Sequence, residues 1–335
     1  MKIFFYNYNE IKKLSQYKRN WIEQIYHGIE KYSNKIKIVN DILESNIIFT
    51  IKDHIEFIES KYNIDEKKIK LIVMSCQDSV MCDKNIIENP NVLYVFDHLK
   101  LLKDIDDFLF YNNTYSHSQF LLNKYYKPDN LNIIANVDMK FKNLYIDKTQ
   151  CILNTSKIYS RIFEHSSSKI SNRKYDITFV GTTNYGSDVL ATLHRKDLIH
   201  KLKNLSEKHN IKLYLGDYDD GTKIPLHKFH RILKNTKIFI SPWGYGEWSL
   251  KEFECVCFGT HCIIPNKHLL NYPNFYLNFD EYLLDFSNFE DIILYSLNNL
   301  DLIQEKIDKN KKLFCEYDNK KQIEDIEKLL NVYSY

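Results

Sequence analysis

Glycine, lysine and glutamate residues are spaced around a predicted strand–loop–helix junction in the C-terminal half of the chain. Gly244 and Gly246 lie in the loop, and Lys251 and Glu254 follow on the predicted helix. A glycine loop lets an anion approach the backbone, and a helix start offers unpaired N–H groups and the positive end of the helix dipole. The spacing places Lys251 within reach of a phosphate and Glu254 where its carboxylate accepts hydrogen bonds from two ribose hydroxyls.

The alternative for this stretch is an ordinary strand–helix unit with solvated charges, because glycine-rich loops alone are weak signals. Glycine is scarce in this sequence, with 8 in 335 residues, and this scarcity makes the pair in one loop more informative. Trp243, Tyr245 and Trp248 are candidates to stack on a sugar or a base, and Trp248 is equally a candidate for the core.

A second strand–glycine–helix unit lies upstream of the first. Residues 175–180 (YDITFV) predict a strand, Gly181, Thr182 and Thr183 follow in the loop, and a helix is predicted from there to about Lys208. This turn is also compatible with phosphate binding, since it combines a glycine with a helix start.

Residues 244–265 (GYGEWSLKEFECVCFGTHCIIP) resemble the donor-binding signature of the GT-B glycosyltransferases, in particular the exostosin-like and group 1-like C-terminal domains. The shared features are a Gly-Tyr-Gly-Glu loop, a Ser-x-(Arg/Lys)-x-x-Glu helix and a Gly-Thr turn before a strand. The resemblance covers about residues 176–265. It implies that Lys251 contacts the diphosphate of a nucleotide sugar and that Glu254 holds its ribose. Lysine here replaces the commoner arginine, which keeps the charge but not the bidentate geometry.

The same resemblance implies further donor contacts. Those in the loop and the first helical turn are Tyr245, Gly246, Glu247, Trp248 and Ser249. Gly181, Thr182 and Thr183 correspond to the first turn of the C-terminal domain, which faces the interdomain cleft. Arg195 resembles an arginine that reaches the diphosphate from the following helix, and an ordinary surface arginine is the alternative.

Short apolar strands alternate with helical segments along the whole chain, which predicts an α/β fold with mostly parallel sheets. Strands are predicted at 2–6, 46–50, 70–74, 92–96, 132–135, 175–180, 211–215, 237–241, 261–265 and 275–277. Helices are predicted at 21–32, 53–62, 99–110, 115–126, 158–163, 187–208, 225–235, 247–258, 280–299, 302–314 and 319–332. Asp53 is a candidate N-cap of its helix, and Gly259 is a candidate stop signal.

The expected architecture is two Rossmann-like domains that face a cleft, the GT-B arrangement. Residues 1–160 form the predicted acceptor-side domain, and residues 170–335 the nucleotide-sugar-binding domain. Residues 138–174 lose periodicity and are interpreted as the connection. By resemblance, the last helix is expected to cross back to the N-terminal domain.

Acidic and histidine residues follow two of the N-terminal strands: Asp78, Asp97 and His98. In parallel sheets, ligands bind at the carboxyl ends of the strands. Asp97, a carboxylate beside an imidazole, is the candidate base that removes a proton from an acceptor hydroxyl. A loop residue or a helix cap is the alternative for each of the three.

Composition argues against several functional classes. The net charge of +2 gives no basic footprint for nucleic acid. No apolar run approaches the roughly 18 residues of a membrane span, and the N-terminus has too short an apolar run for a signal peptide. The seven cysteines include no CxxC pair, so reduced thiols and a cytoplasmic location are expected.

No metal site is expected. Cys255, Cys257, His261 and Cys262 are close in sequence, but the first two are predicted to point apart on a helix. Asp217 and Asp219 have Asp-x-Asp spacing, so a metal site at these two residues is a minor alternative.

The expected function is metal-independent transfer of a sugar from a nucleotide sugar, UDP- or GDP-linked, to a glycan or other hydroxyl acceptor, without a cofactor. Two alternatives keep the same fold: a catalytically inactive binding or scaffold protein, and a sugar-nucleotide epimerase. The N-terminal half carries no motif that identifies the acceptor.

Overall fold

The computed structural model describes residues 1–6, 16–74, 84–97, 100–101, 144, 147–151, 169–184, 189–217, 224–243, 250–266, 269–270, 278–316 and 319–331. These residues form two parallel β-sheets, with helices between many of the successive strands, and one two-stranded ribbon. The α/β fold class predicted from the alternation of apolar strands and helices is therefore confirmed.

The first sheet contains six strands among the described residues, in the order β2-β1-β3-β4-β5-β7. The strands of this half are β1 (Lys2–Phe5), β2 (Lys37–Ile38), β3 (Ile47–Ile51), β4 (Lys70–Met74), β5 (Val92–Asp97), β6 (Lys100–Leu101) and β7 (Thr149–Cys151). The helices are α1 (Gln16–Tyr32), α2 (Ile55–Tyr62) and α3 (Lys84–Glu88). Every residue of β3 is buried, as expected of a central parallel strand that is covered on both faces.

The second sheet contains five described strands, in the order β13-β11-β10-β8-β9. The strands of this half are β8 (Tyr175–Gly181), β9 (Leu213–Asp217), β10 (Thr236–Ile240), β11 (His261–Pro265), β12 (Leu269–Leu270) and β13 (Asp280–Tyr282). The helices are α4 (Val189–His209), α5 (Leu226–Lys234), α6 (Leu250–Phe258), α7 (Phe289–Asn298), α8 (Leu300–Glu316) and α9 (Asn319–Asn331). In the described part of the chain, none of these helices combines the length and the apolarity that a membrane span requires.

Helix α6 ends at the glycine predicted to stop it. Gly259 has φ of +63°, a conformation that glycine adopts without a Cβ penalty. The N–H of Thr260 donates to the carbonyl of Cys255 at 2.8 Å, and the N–H of Gly259 donates to the carbonyl of Val256 at 3.1 Å. These two bonds satisfy carbonyls of the last turn and turn the chain directly into β11.

Five short strands were not predicted: β2, β6, β7, β12 and β13. β6 lies where a helix was predicted from 99 to 110, β7 lies inside the predicted 138–174 connection, and β13 replaces the first turn of the helix predicted at 280–299. Each has only two or three residues, so its partner strand decides its conformation and no sequence period reveals it. The segments predicted at 115–126, 132–135, 158–163 and 275–277 lie outside the described residues.

The start of α2 also differs from the prediction. Asp53 lies within a 3₁₀ turn, Lys52–His54, and α2 begins after His54 at Ile55. Asp53 is therefore not the N-cap of this helix.

Among the described residues, a strand pair and a helix pair are two of the contacts between the halves of the chain. Strand β6 pairs antiparallel with β12 in a two-stranded ribbon. Helix α9 packs along α1, where Gln24 Nε2 donates to Gln322 Oε1 at 3.0 Å. The helices approach closely at Gly28, where an added Cβ would lie 2.8 Å from two side-chain carbons of Ile323.

A buried arginine, Arg173, connects α5, α6 and β10 in the second half of the chain. Arg173 donates to the carbonyls of Thr236 at 2.8 Å, Phe258 at 3.0 Å and Leu233 at 3.4 Å, and to Thr260 Oγ1 at 3.0 Å. Burial lowers its pKa to about 10, so it stays charged at neutral pH. A cation near the carboxyl ends of α5 and α6 is favoured by both helix dipoles.

Replacing Gly28 tests the close contact between α1 and α9. Gly28→Val should lower the free energy of unfolding by about 2 kcal/mol because the new side chain overlaps Ile323. Urea denaturation measures the change, and Lys31→Val on the exposed side of α1 is the control. Adding Ile323→Ala should recover part of the loss, and strictly additive effects of the two substitutions would contradict the contact.

Replacing Arg173 tests the buried junction of α5, α6 and β10. Arg173→Met should cost about 3 kcal/mol of stability, because buried carbonyls lose their donor. Lys174→Met, next to it but exposed, should stay within about 0.5 kcal/mol of wild type in the same urea titration. Equal effects of the two substitutions would show that the arginine does not hold this junction.

Candidate functional site

The strand order of the second sheet reverses between β8 and β10. From β8 the chain moves to β9 on one side and then to β10 on the other, and all these strands are parallel. In open α/β sheets, ligands bind outside the carboxyl ends of the strands at such a reversal. Gly181 ends β8 at this point, and Ser241 to Trp243 follow the end of β10.

Arg195 connects the two loops that leave these strands. Its Nε donates to the carbonyl of Trp243 at 2.7 Å, and its Nη1 donates to the carbonyl of Thr182 at 2.6 Å. The side chain is buried, so these charge-assisted bonds lie in a low-dielectric environment. Arg195 is therefore not a surface arginine, and it fixes both loops at the strand reversal.

The buried side of α4 positions Arg195. Leu190, Leu198 and Leu202 are fully buried on this helix, and His194 stacks on Phe286 with ring centroids 4.8 Å apart. Burial, together with the charge of Arg195, lowers the pKa of His194 to about 3, so its ring is neutral. The helix thus brings a single fixed positive charge, that of Arg195, from this turn to the end of β8.

Lys251 reaches the same place from the first turn of α6. Its Nζ donates to the carbonyl of Val180 at 2.6 Å. A Cβ added to Gly181 would lie 3.1 Å from Lys251 Nζ and 3.4 Å from Arg195 Nη1. The two cations therefore converge on the one residue of this turn that has no side chain.

The electrostatics of Lys251 reflect this arrangement. Its pKa is lowered from the usual 10.5 to about 8, first by burial and then by the positive charge of Arg195, while Glu254 acts in the opposite direction. Two like charges held together in a poorly solvated place repel each other. An anion bound between them would relieve the repulsion.

Glu254 lies one helical turn beyond Lys251 and is buried. Its Oε1 is 3.0 Å from Nε2 of His230, which lies on α5. Sequence analysis did not assign His230 to the site. The two residues are on different helices and 24 positions apart, so no local spacing connects them.

A second carboxylate on α6, that of Glu252, is also buried. Ser241 Oγ donates to Glu252 Oε1 at 2.8 Å, and Tyr282 Oη donates to the carbonyl of Ser241 at 3.1 Å. These bonds fix the point where the chain leaves β10 and enters the loop toward α6. Glu252 was not predicted, since its partner Ser241 is 11 positions away at the end of β10 and no local spacing connects the two.

The structure corrects one predicted contact. Trp243 is fully buried, so it belongs to the core and is not a stacking surface for a sugar or a base. Thr182 lies in the turn, where its hydroxyl donates to the carbonyl of Asn184 at 3.0 Å, and Thr183 is buried beside it.

The remaining predicted residues are only partly described. Tyr245, Gly246, Glu247, Trp248 and Ser249 lie outside the described residues, as do Asp78, His98 and the residue two positions after Asp217. Asp97 ends β5, next to Cys151 of β7, and its side chain is outside the described part. Within the described ranges, no three His, Cys, Asp or Glu side chains are grouped as metal ligands.

Replacing Lys251 tests its electrostatic environment. The folded-state pKa of about 8 lies below the usual 10.5, so between these values the unfolded chain binds more protons and wild-type stability rises with pH. Lys251→Met lacks this contribution. Urea denaturation measures the free energy of unfolding of both proteins at each pH. The value for the variant minus the value for wild type should therefore fall as the pH rises from about 8 to about 10. A difference that does not vary with pH would contradict the lowered pKa.

The chain was compared with known families, sequences and structures. No family model and no curated protein sequence matches the chain. Among solved structures, it is similar to Anabaena Alr3699/HepE in complex with UDP, with a TM-score of 0.50 and 9% identity over 99% of this chain and 100% of the other. An alpha-glucosyltransferase in complex with UDP and a 13-mer DNA matches with a TM-score of 0.46 and 9% identity over 98% and 99%. S. aureus TarM matches with a TM-score of 0.46 and 15% identity over 78% and 55%.

The likeness at these low identities concerns the fold. The structural neighbours are GT-B glycosyltransferases, and the chain shares their arrangement of two Rossmann-like α/β sheets. The expectation of a GT-B fold is confirmed. The exostosin-like subgroup stays a prediction.

Proposed function

We propose that this protein is a glycosyltransferase that moves a sugar from a nucleotide-sugar donor to an acceptor hydroxyl, and that its donor loop is of the exostosin-like kind. The observation that carries the proposal is the convergence of Lys251 and Arg195 at Gly181, at the strand reversal of the second sheet. A diphosphate is an anion that suits two adjacent cations, and it can approach them at Gly181 because glycine has no side chain.

In this proposal, different residues bind the diphosphate, the ribose and the base of the donor. Lys251 contacts the diphosphate, with loop amides of residues 244–248 as further donors. Arg195 contributes its fixed charge and holds the two loops. Glu254 accepts hydrogen bonds from the ribose hydroxyls. The nucleotide is UDP or GDP, and its base, uracil or guanine, is proposed to lie on the side of β9 and the loop that follows Asp217.

The chemistry follows from the same charges. When the bond between the sugar and the diphosphate breaks, negative charge grows on the phosphate oxygen that leaves. Lys251 and Arg195 are in place before the reaction, so they stabilise that charge without reorganisation. Two protein cations supply what a divalent metal supplies in other transferases, and we propose a metal-independent reaction without a cofactor.

The acceptor, a glycan or another hydroxyl compound, is proposed to bind at the carboxyl ends of the N-terminal strands. Residues 1–160 and 170–335 are the two proposed domains. Asp97 ends β5 at that edge and stays the candidate for the base that removes the proton from the acceptor hydroxyl. Cys255, Cys257 and Cys262 are buried as thiols, and a reducing, cytoplasmic location is proposed on this basis.

A donor screen tests the proposal. Thermal shifts are measured with UDP-, GDP- and ADP-sugars, each with and without EDTA, followed by hydrolysis assays with the sugar nucleotide that binds. A donor-specific stabilisation that survives EDTA is expected. Stabilisation only with added metal would contradict the metal-independent mechanism. Interconversion of free sugar nucleotides without an acceptor would favour an epimerase, and binding without any turnover would favour a binding protein.

Substitutions at the two central residues sharpen the test. Lys251→Met should lower the turnover of the sugar nucleotide by about 10²- to 10³-fold, because it removes a donor to the leaving group. Glu254→Ala should strongly reduce the thermal shift with the same ligand while the protein stays folded. Lys196→Met, an exposed lysine on α4 next to Arg195, is the matched control and should behave as wild type. Unchanged turnover in Lys251→Met would remove Lys251 from the mechanism.

A further inference from the structure

We propose that His230 is a positioning residue that sets the ribose selectivity of the donor site by holding Glu254. The inference rests on the proposed function, since it takes Glu254 as the carboxylate that binds the ribose. The supporting observation is the 3.0 Å contact between His230 Nε2 and Glu254 Oε1, which joins α5 to α6.

The direction of this hydrogen bond follows from chemistry. An ionised carboxylate only accepts, so Nε2 of His230 carries the hydrogen and donates it to Oε1. Oε2 of Glu254, together with the second lone pair of Oε1, is left to accept from ribose hydroxyls. Both side chains are largely shielded, with exposed fractions of 18% for His230 and 10% for Glu254, so the bond is weakly screened by water.

Packing fixes the imidazole in this orientation. Its ring centroid lies 4.7 Å from that of Phe258, the last residue of α6, and 6.2 Å from that of Phe229, which is buried on α5. The histidine therefore lies against the helix that carries its partner. A carboxylate that is oriented before the ligand arrives loses less conformational entropy on binding.

The contact also joins two parts of the proposed donor site. Helix α5 follows the loop after β9, on the side proposed for the base, and α6 carries the residues proposed for the diphosphate and the ribose. Glu254 lies one helical turn from Lys251, where its charge opposes the lowering of the Lys251 pKa, and it contacts His230. The bond to His230 holds the carboxylate of Glu254 against α5.

The experiment compares ribonucleotides with nucleotides that lack the ribose hydroxyls. Calorimetry gives dissociation constants for UDP and GDP, and for the 2′,3′-dideoxy form of whichever binds more tightly. The readout is the ratio of the two constants, because effects on the diphosphate, the base or overall stability cancel in it. The variants are Glu254→Ala, His230→Ala, His230→Gln, the double variant of both alanines, and His227→Ala as the control.

Each variant has a defined expectation. Wild type should prefer the ribonucleotide by about 100-fold, Glu254→Ala should lose the preference, and His230→Ala should reduce it about tenfold, as expected for bonds to a charged group. His230→Gln should keep most of the preference, since the glutamine amide nitrogen is as many bonds from Cβ as Nε2. The double variant should match Glu254→Ala, and His227→Ala, exposed on the same helix, should match wild type.

The outcomes separate the two proposals. If Glu254→Ala loses the ribose preference and His230→Ala keeps it, the inference about His230 is wrong and the proposed donor site stands. Tighter ribonucleotide binding by His230→Ala would mean that the histidine competes with the ribose, which also overturns the inference. If wild type shows no ribose preference, or Glu254→Ala retains it, the donor site itself is misassigned and the inference falls with it.

Discussion

Two positive charges held side by side at the end of β8 are the constraint on which the rest of the structure depends. Lys251 and Arg195 come from different helices, and each is fixed by backbone carbonyls of the turns that surround it. Burial, and after it the charge of Arg195, lowers the pKa of Lys251, which is a cost of folding at neutral pH. In our proposal an anion offsets this cost when it binds beside Gly181, the glycine on which both cations converge.

The surrounding elements keep these charges in place. Arg173 ties the carboxyl ends of α5 and α6 to β10, and Glu252 ties the start of α6 to Ser241. The same two helices carry His230 and Glu254. Buried polar networks of this kind are costly when incomplete, so they define one arrangement of strand, loop and helix. The same rigidity suits a reaction that relies on charges placed in advance.

The sequence predicts the elements that have many apolar residues, and it fails where partners are distant. Strands β3, β4, β8 and β11 are apparent as apolar runs, and Gly259 marks the end of α6. The two- and three-residue strands β2, β6, β7, β12 and β13 depend on pairing with their neighbours, so no local pattern reveals them. The same distinction holds for the candidate site. Lys251 and Glu254 could be predicted from their spacing on one helix, whereas His230 and Glu252 could not, because their contacts are tertiary. Trp243 was misjudged because its type fits a ligand platform and a core equally well.

The most direct measurement of the central claim is a crystal structure of the protein with UDP or GDP, whichever it binds, in the presence of EDTA. We predict diphosphate oxygens within hydrogen-bonding distance of Lys251 Nζ, above Gly181, and the ribose hydroxyls on the carboxylate of Glu254. A nucleotide bound away from the end of β8, or a diphosphate that contacts neither Lys251 nor the turn at Gly181, would contradict the account.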